Sequence, residues 1–386
     1  MRALIINSYA GSLLIAAKQE GLQVIASLED SGYGIGSQRM NYPHETYVDS
    51  HPWPRLIEAV TEQAICLAHP PCSCFSIQGA NADPKTRGVD SEAFNCTKQA
   101  ISYALGRRVK ALAVESVTAT LEGARAYHDQ AAAEYGYNVY RILLNAITFG
   151  VPQWRPRFWC LFVRQDAAPD KFWLHHRPVY RTMGETLAEV TPGDTIPGVE
   201  ADYQKWTARL REKVGLSLND VLAQEAYGTV PWLAARQLGW DMTGSKSSVE
   251  YRFVEQFGFS KFSSAWSIKL NPGGFTPTLM ATSNWWLGDR PLTRPEYCAI
   301  AGFPTDYRFD KSRETQAYLS RGVAPPVARW IIQQLVAHLE GTFNPGSVHA
   351  IIDKYIQAQP GETIDFRVSR KELKQMKLFD LHRGEA

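Results

Sequence analysis

The sequence predicts an α/β fold followed by a second, less regular domain. Three observations carry this expectation. In the first half, short apolar runs alternate with segments of helical period. Two candidate reactive residues, Cys72 and Glu115, each stand directly after such a run. Open α/β sheets hold their ligands at that place, the carboxyl ends of strands. After about Arg177 the alternation fades, and Gly, Pro, Trp and polar residues become frequent.

The elements follow in order. Residues 3–6 form an apolar run too brief for a signal segment or a membrane span, and they read as a buried first strand. Residues 23–27 give a second strand after a helical stretch. Residues 64–68 give a third, leading into Pro70-Pro71-Cys72, and residues 110–114 a fourth, leading into Glu115. Segments 95–105 and 121–135 are helical by period. Residues 138–144 and 158–163 read as a hairpin-like pair around Phe149-Gly150-Val151-Pro152-Gln153. Val323-Ala324-Pro325-Pro326 opens an apolar helix that runs to about Leu339 and returns to the first sheet. Residues 341–386 read as a small appendage, with a helix at 351–357 and a charged stretch at 367–377. The expected division is therefore 1–177 completed by 305–340, then 178–304, then 341–386.

The bulk numbers bound the function. A chain of 386 residues can hold two domains and a sizeable core. Hydrophobic content of 45% with 21% charged residues is ordinary globular composition and excludes a disordered chain. The net charge of +2 neither favours nor excludes nucleic acid, because cations can line one cleft of a nearly neutral protein. Six cysteines without a regular framework, and no secretory leader, point to a reducing, cytoplasmic setting without a membrane.

The candidate chemistry lies in three places. Two prolines stiffen the backbone that presents Cys72. Glu115 ends the next strand on the same rim. Gln153-Trp154-Arg155-Pro156-Arg157 supplies two cations that alternate along a strand and so face one side. A thiol with a carboxylic acid is what addition to a pyrimidine ring requires. Thiolate attack at C6 makes an enamine that is nucleophilic at C5. Protonation at N3 promotes the attack, and a cation beside O2 stabilises the growing negative charge. A dehydrating pocket would raise the pKa of Glu115 and help it donate.

Plainer readings stand beside each of these. A lone Cys at a strand end is usually a small buried hydrophobe. Glu115 alone would serve as an acid favoured by a helix dipole. Arg155 and Arg157 alone would be a solvated strand face, and Glu29 a loop acid. Trp285-Trp286 reads as a core pair rather than a wedge between bases. Cys66, His69, Cys72 and Cys74 are too crowded around two prolines for a zinc site, so no metal is expected. The His-x-Glu and Pro-Cys-x-x-Cys elements of zinc deaminases are both missing.

Taken together, the motifs resemble the DNA cytosine-C5 methyltransferase family, in family order, to about residue 340. His69-Pro70-Pro71-Cys72-Ser73-Cys74-Phe75-Ser76 is similar to its Gly-Pro-Pro-Cys-Gln-Gly-Phe-Ser. Glu115-Ser116-Val117 is similar to its Glu-Asn-Val. The stretch from Leu144-Asn145-Ala146 through Phe149 to Arg157 is the closest match, and Arg290-Pro291-Leu292-Thr293-Arg294-Pro295-Glu296, ending in Gly302-Phe303-Pro304, matches the late family motif.

The resemblance implies a Rossmann-like sheet that uses S-adenosylmethionine and a target-recognition domain at 178–304, the two enclosing a basic cleft. It implies double-stranded DNA as partner, bound by a monomer, with the target cytosine flipped out of the stack. Cys72, Glu115, Arg155 and Arg157 would be catalytic. Pro71, Val117 and Gln153 would touch the base. Gly11, Ser12, Glu29, Asp49, Pro71 and Gly322 would line the cofactor. A prokaryotic or phage origin is expected.

The departures fall mainly on the cofactor side. Asn7-Ser8-Tyr9-Ala10-Gly11-Ser12 keeps one Gly of the family's loop and puts Tyr9 in place of another. Gly322 stands where the family has Asn, His69 replaces Gly beside the nucleophile, and Ser116 replaces Asn. These imply a reshaped pocket that takes S-adenosylmethionine weakly or accepts a modified relative of it. An RNA cytosine-C5 methyltransferase and a catalytically inactive DNA-binding homologue are the other readings.

Overall fold

The computed structural model describes residues 1–30, 32–53, 61–76, 86–168, 172–259, 267–281, 284–342 and 354–375. The chain divides into two compact units. One comprises Met1–Gly150, Arg155–Tyr180 and Gly322–Val368; the other comprises Val151–Trp154, Arg181–Arg321 and Ser369–Ala386.

The first unit carries β1 (Arg2–Ile6), β2 (Gln23–Leu28), β3 (Tyr47–Val48), β4 (Ala64–Ala68), β5 (Ala111–Ser116), β6 (Tyr137–Asn145), β7 (Pro156–Arg164) and β8 (Phe172–His176). The second unit contributes β9 (Gly228–Thr229), β10 (Ser267–Lys269), β11 (Asn284–Leu287) and β12 (Arg290–Pro291). The chain then returns to the first unit with β13 (Lys354–Ala358) and β14 (Thr363–Asp365).

The main sheet has the order β14-β6-β7-β5-β4-β1-β2-β3. Only β7 runs antiparallel to its neighbours, β5 and β6. The order reverses beside β1, with β2 and β3 on one side and β4 and β5 on the other. Such a switch point opens a crevice beyond the carboxyl ends of β1 and β4.

Alternation along the strands builds the core. Leu4, Ile6, Cys66, Ala68, Leu112 and Val114 share one cluster with Ala100, Ile101, Ala104 and Leu105 of helix Glu92–Gly106. The intervening residues Ala3, Ile5, Ile65, Leu67 and Ala113 are wholly buried as well. With both faces buried, these strands become the near-continuous apolar runs that were legible in the sequence. Helices Ser12–Gln19 and Pro325–Leu339 pack against each other within this unit.

The C-terminal part departs from expectation. The described part of the segment expected as a helix at 351–357 is strand β13, antiparallel to β8. β14 joins the main sheet beside β6. Residues 354–368 are thus built into the first unit rather than appended to it. Short apolar runs do not distinguish strand from helix by period. Here the open edges of β6 and β8 decide, and Ala358, Ile364 and Phe366 become buried there.

The second unit is more helical than its composition suggests. Helices Pro197–Val214, Leu218–Ala223, Val230–Gln237 and Lys246–Gln256 surround a core with Trp206, Phe253 and Trp286. Its sheet runs β12-β11-β10-β9. Trp285 and Trp286 are wholly buried, so they are core residues and not a wedge.

Candidate active site

The site is built on the ends of β4 and β5. The His69 amide donates to the Ile6 carbonyl at 3.0 Å, which extends the ladder one residue past β4. Pro70 and Pro71 then have no amide to donate and hold φ near one value, so the chain leaves the sheet in a set direction. Cys72, partly buried, caps the helical turn Ser73–Phe75, with its carbonyl accepting from the Phe75 amide at 3.1 Å.

Glu115 pairs with Trp159 across the antiparallel β5–β7 ladder. Arg157 stands two residues before Trp159 and therefore on the same face, within diagonal reach. Arg157 Nε lies 3.0 Å from Glu115 Oε1. His69 Nε2 lies 3.1 Å from Glu115 Oε2. Both oxygens of a wholly buried carboxylate thus face a nitrogen. The His69 imidazole also interacts with the Cys72 thiol, while its Nδ1 is buried without a hydrogen-bond partner among the described residues. The Tyr9 and His69 rings form a T-shaped pair with centroids 5.1 Å apart.

Arg155 is held separately. Its backbone amide donates to Asn145 Oδ1 at 2.9 Å, and its Nη2 donates to the Gly322 carbonyl at 2.5 Å. Glu115, Arg155, Arg157 and Trp159 line a narrow pocket, with Val323, Ala324 and Val327 on its far side.

The charges are strongly coupled. Burial alone would lower the pKa of His69, but the Glu115 charge and hydrogen bonds to Cys72 and Glu115 outweigh it and push the value up to about 9. Burial alone would raise that of Cys72, but the His69 hydrogen bond and charge, with help from Arg157, hold it below the ordinary thiol range. Burial would also raise that of Glu115, yet His69, Arg157 and Arg155 hold it below the usual carboxylate range. The raised Glu115 expected from dehydration is therefore reversed, because three nitrogen bases surround the carboxylate. Burial draws Arg155 down to about 9, which leaves it charged at neutral pH.

The structure brings Cys72, Glu115 and Arg157 together, with Arg155 lining the same pocket. Val117 packs beside the Phe75 cluster just past β5. Pro71, partly buried, precedes Cys72. Gln153 belongs to the second unit, where it bridges to Thr276. It is buried there, and its side-chain nitrogen has no hydrogen-bond partner among the described residues. Sequence reasoning missed His69 as a member of the cluster. The available signal was a histidine three residues before the nucleophile, at the same strand end.

In the region expected to hold a cofactor, Asn7 and Tyr9 both adopt positive φ, as does Gly11 at 93°. A side chain on Gly34 would come within 2.6 Å of the Tyr9 backbone, so only glycine fits against this loop. Ser12 Oγ accepts from the Val323 amide at 3.1 Å. Glu29, wholly buried, accepts from Gln38 Nε2 at 2.7 Å and from the Ser8 backbone. Burial drives its carboxyl well above the usual range. Asp49 is largely exposed and lies 3.6 Å from Arg39. Both side-chain amide atoms of Asn7 are buried without a hydrogen-bond partner among the described residues. Buried amides are costly when unpaired, so the loop after β1 fits a polar ligand that satisfies Asn7. Among the described residues, no cluster of three His, Cys, Asp or Glu could hold a metal, and no helix is long and apolar enough to cross a membrane.

Comparison with known proteins gives the same direction. The family model for C-5 cytosine-specific DNA methylases matches residues 4–337. The type II methyltransferase M.NaeI of Lentzea aerocolonigenes is 30% identical over 146 residues, which is 37% of this chain and 33% of that protein. The match thus spans about a third of the relative's length. Among solved structures, a prophage-encoded DNA modification methyltransferase from E. coli aligns with TM-score 0.60 and 16% identity, over 88% of this chain and 99% of that one. Entamoeba histolytica methyltransferase EhMeth aligns with TM-score 0.51 and 11% identity, over 89% and 99%. A variant of Spodoptera frugiperda DNMT2 aligns with TM-score 0.50 and 15% identity, over 87% and 100%. At these identities the structural likeness speaks to the fold, a methyltransferase α/β sheet.

Proposed function

Because this chain belongs to the C-5 cytosine-specific DNA methylase family, we propose that it methylates C5 of cytosine in double-stranded DNA. The observation that carries the reading is the convergence of Cys72, Glu115 and Arg157 at one strand rim. The Cys72 sulfur adds to C6 of a flipped-out cytosine, and the ring becomes nucleophilic at C5. Glu115 holds N3 and its proton. Arg157 and Arg155 stand against the negative charge that grows on the O2 side. Pro71, Val117 and Gln153 position the ring.

S-adenosylmethionine, when bound, supplies an electrophilic methyl group. Asn7, Gly11 and Ser12 after β1, Glu29 after β2, and Pro71, Asp49 and Gly322 are the residues assigned to hold it. Gln38 would yield its bond to Glu29 if a ribose took that carboxylate. Residues 178–304 are assigned to reading the bases, through groove contacts by Arg, Lys, Asn or Gln. The protein would act as a monomer on DNA, in the cytoplasm of a bacterium or a phage host.

The test is methyl transfer by purified protein from labelled S-adenosylmethionine to duplex DNA and, in parallel, to tRNA. Label in duplex DNA that is absent with Cys72→Ala, while that variant still binds DNA, supports the reading. Label in tRNA alone replaces the substrate. Turnover retained by Cys72→Ala overturns the mechanism.

A further inference from the structure

We propose that Ser12 is a positioning residue for Arg155: through the single peptide group that joins Gly322 to Val323, it fixes the guanidinium assigned above to the O2 side of the ring. This rests on the cytosine-addition reading and names a residue that acts on it from the loop after β1.

The argument starts from two hydrogen bonds that meet on one peptide. Arg155 Nη2 donates to the Gly322 carbonyl at 2.5 Å. The next amide, that of Val323, donates to Ser12 Oγ at 3.1 Å. The Gly322 carbonyl and the Val323 amide are the two poles of one planar group, and in a trans peptide they point to opposite sides. Turning that plane disturbs both bonds at once. The guanidinium is a cationic donor, so its bond is of the stronger, charge-assisted kind. Polarising the peptide at one pole also strengthens the bond at the other.

Ser12 is itself held in place. It opens helix Ser12–Gln19 and is wholly buried. Its hydroxyl donates to the Ser8 carbonyl at 3.4 Å. Ser8 Oγ in turn accepts from the Leu13 and Leu14 amides at 3.0 and 3.3 Å. The loop after β1 and the first turn of the helix are thus tied together, and Ser12 presents its oxygen from a fixed base.

The segment that Ser12 holds cannot fasten itself. From Gly322 to Pro326 no side chain offers a hydrogen bond, so the backbone must do so, and the Val323 amide does it on Ser12. Pro325 and Pro326 then open the next helix without amides of their own. Arg155 depends on this segment for its reach. Its backbone is set by the bond from its amide to Asn145 Oδ1 at 2.9 Å and by its carbonyl, which accepts from the Ala146 amide at 3.2 Å. Those bonds place the main chain only. A long side chain pays in rotamer entropy to hold one geometry, and the bond to the Gly322 carbonyl offsets that cost.

The link runs both ways. Displacement of Ser12 when the loop after β1 is occupied shifts the peptide and with it the cation. A load placed on Arg155 by the ring returns to Ser12 with the same free energy.

The test is NMR of the whole protein with 15N-labelled arginine, without DNA or methyl donor. The Arg155 signal is assigned from its disappearance in Arg155→Lys. The quantity read is rotation about the guanidinium Cζ–Nη bonds, which slows when an Nη is held. Arg141 is the internal reference, because its Nη1 donates to the Gly361 carbonyl at 3.0 Å, on a strand beside the β14 edge of the sheet. In the wild type both guanidinium groups rotate slowly. With Ser12→Ala, Arg155 rotates at least about tenfold faster while Arg141 is unchanged. An unchanged Arg155 overturns the proposal. So does equal loosening of Arg155 and Arg141, which reports a weaker fold and no specific link. Should Ser12→Ala fail to fold, Ser12→Cys, which keeps the shape with a weak acceptor, takes its place under the same criteria. Absence of methyl transfer by the wild type would fault the reading above, whereas an Arg155 still fixed without the Ser12 hydroxyl would fault only this one.

Discussion

Glu115 shows at single-residue scale how neighbours override burial. A wholly buried carboxyl would ordinarily stay protonated, yet Arg157 and His69 hold this one ionised. Arg157→Ala should therefore lower kcat about 100-fold, with a small change in DNA affinity. Steady-state kinetics beside a binding titration check this. An affinity loss that accounts for the whole defect would mark Arg157 as a phosphate contact. Cys72 and Glu115 were legible in the sequence because each follows a run of apolar residues long enough to mark a strand. The place of His69 beside Glu115 was not, because its partner lies on another strand, and only the β4–β5 pairing brings the two ends together. Asn7 was hidden for a similar reason: an orphaned amide is visible only once the packing around it is known.

Among the elements, helix Arg294–Ala301 of the second unit explains why the late motif has its particular letters. Thr293 and Glu296 form a capping box, in which Glu296 accepts from the Thr293 amide at 2.7 Å. Pro295 occupies the first turn, where its missing amide costs nothing. Gly302 closes the helix at φ 78°, and the Phe303 amide returns to the Cys298 carbonyl at 2.9 Å. Arg290 adds a forked pair to Glu296 at 2.9 and 2.7 Å. The motif is thus a set of helix boundaries as much as a family signature. Burial would raise the Glu296 pKa, but Arg290 and the Thr293 bonds hold it below the usual range. A lowered carboxyl adds stability above its unfolded pKa of about 4.3 and loses it as the pH falls through the folded value. Glu296→Gln should cost about 2 kcal/mol at pH 7. Unfolding curves of the two proteins should start to approach each other as the pH falls below about 4.3 and converge only below the lowered folded-state value. A gap that stays constant into acid would remove the ionised carboxylate from the explanation. The edge strands β13 and β14 were the unreadable elements, since nothing local to them states which edge they will meet.

For the whole molecule, family membership and the strand-end cluster support one activity, while the loop after β1 departs from the family where a methyl donor would lie. Tyr9 stands where the family's loop has glycine, and Glu29 is already engaged by Gln38. They motivate the alternative of a modified S-adenosylmethionine as donor. The residues proposed for the base and those proposed for the methyl donor make separable claims, and a product mass reads both. The measurement is nucleoside mass spectrometry of genomic DNA from a host that expresses this protein, with Cys72→Ala as control. The account predicts a cytosine heavier by one methyl group that disappears in the control. Unmodified cytosine in the wild-type sample, or methylcytosine that persists with Cys72→Ala, would contradict it.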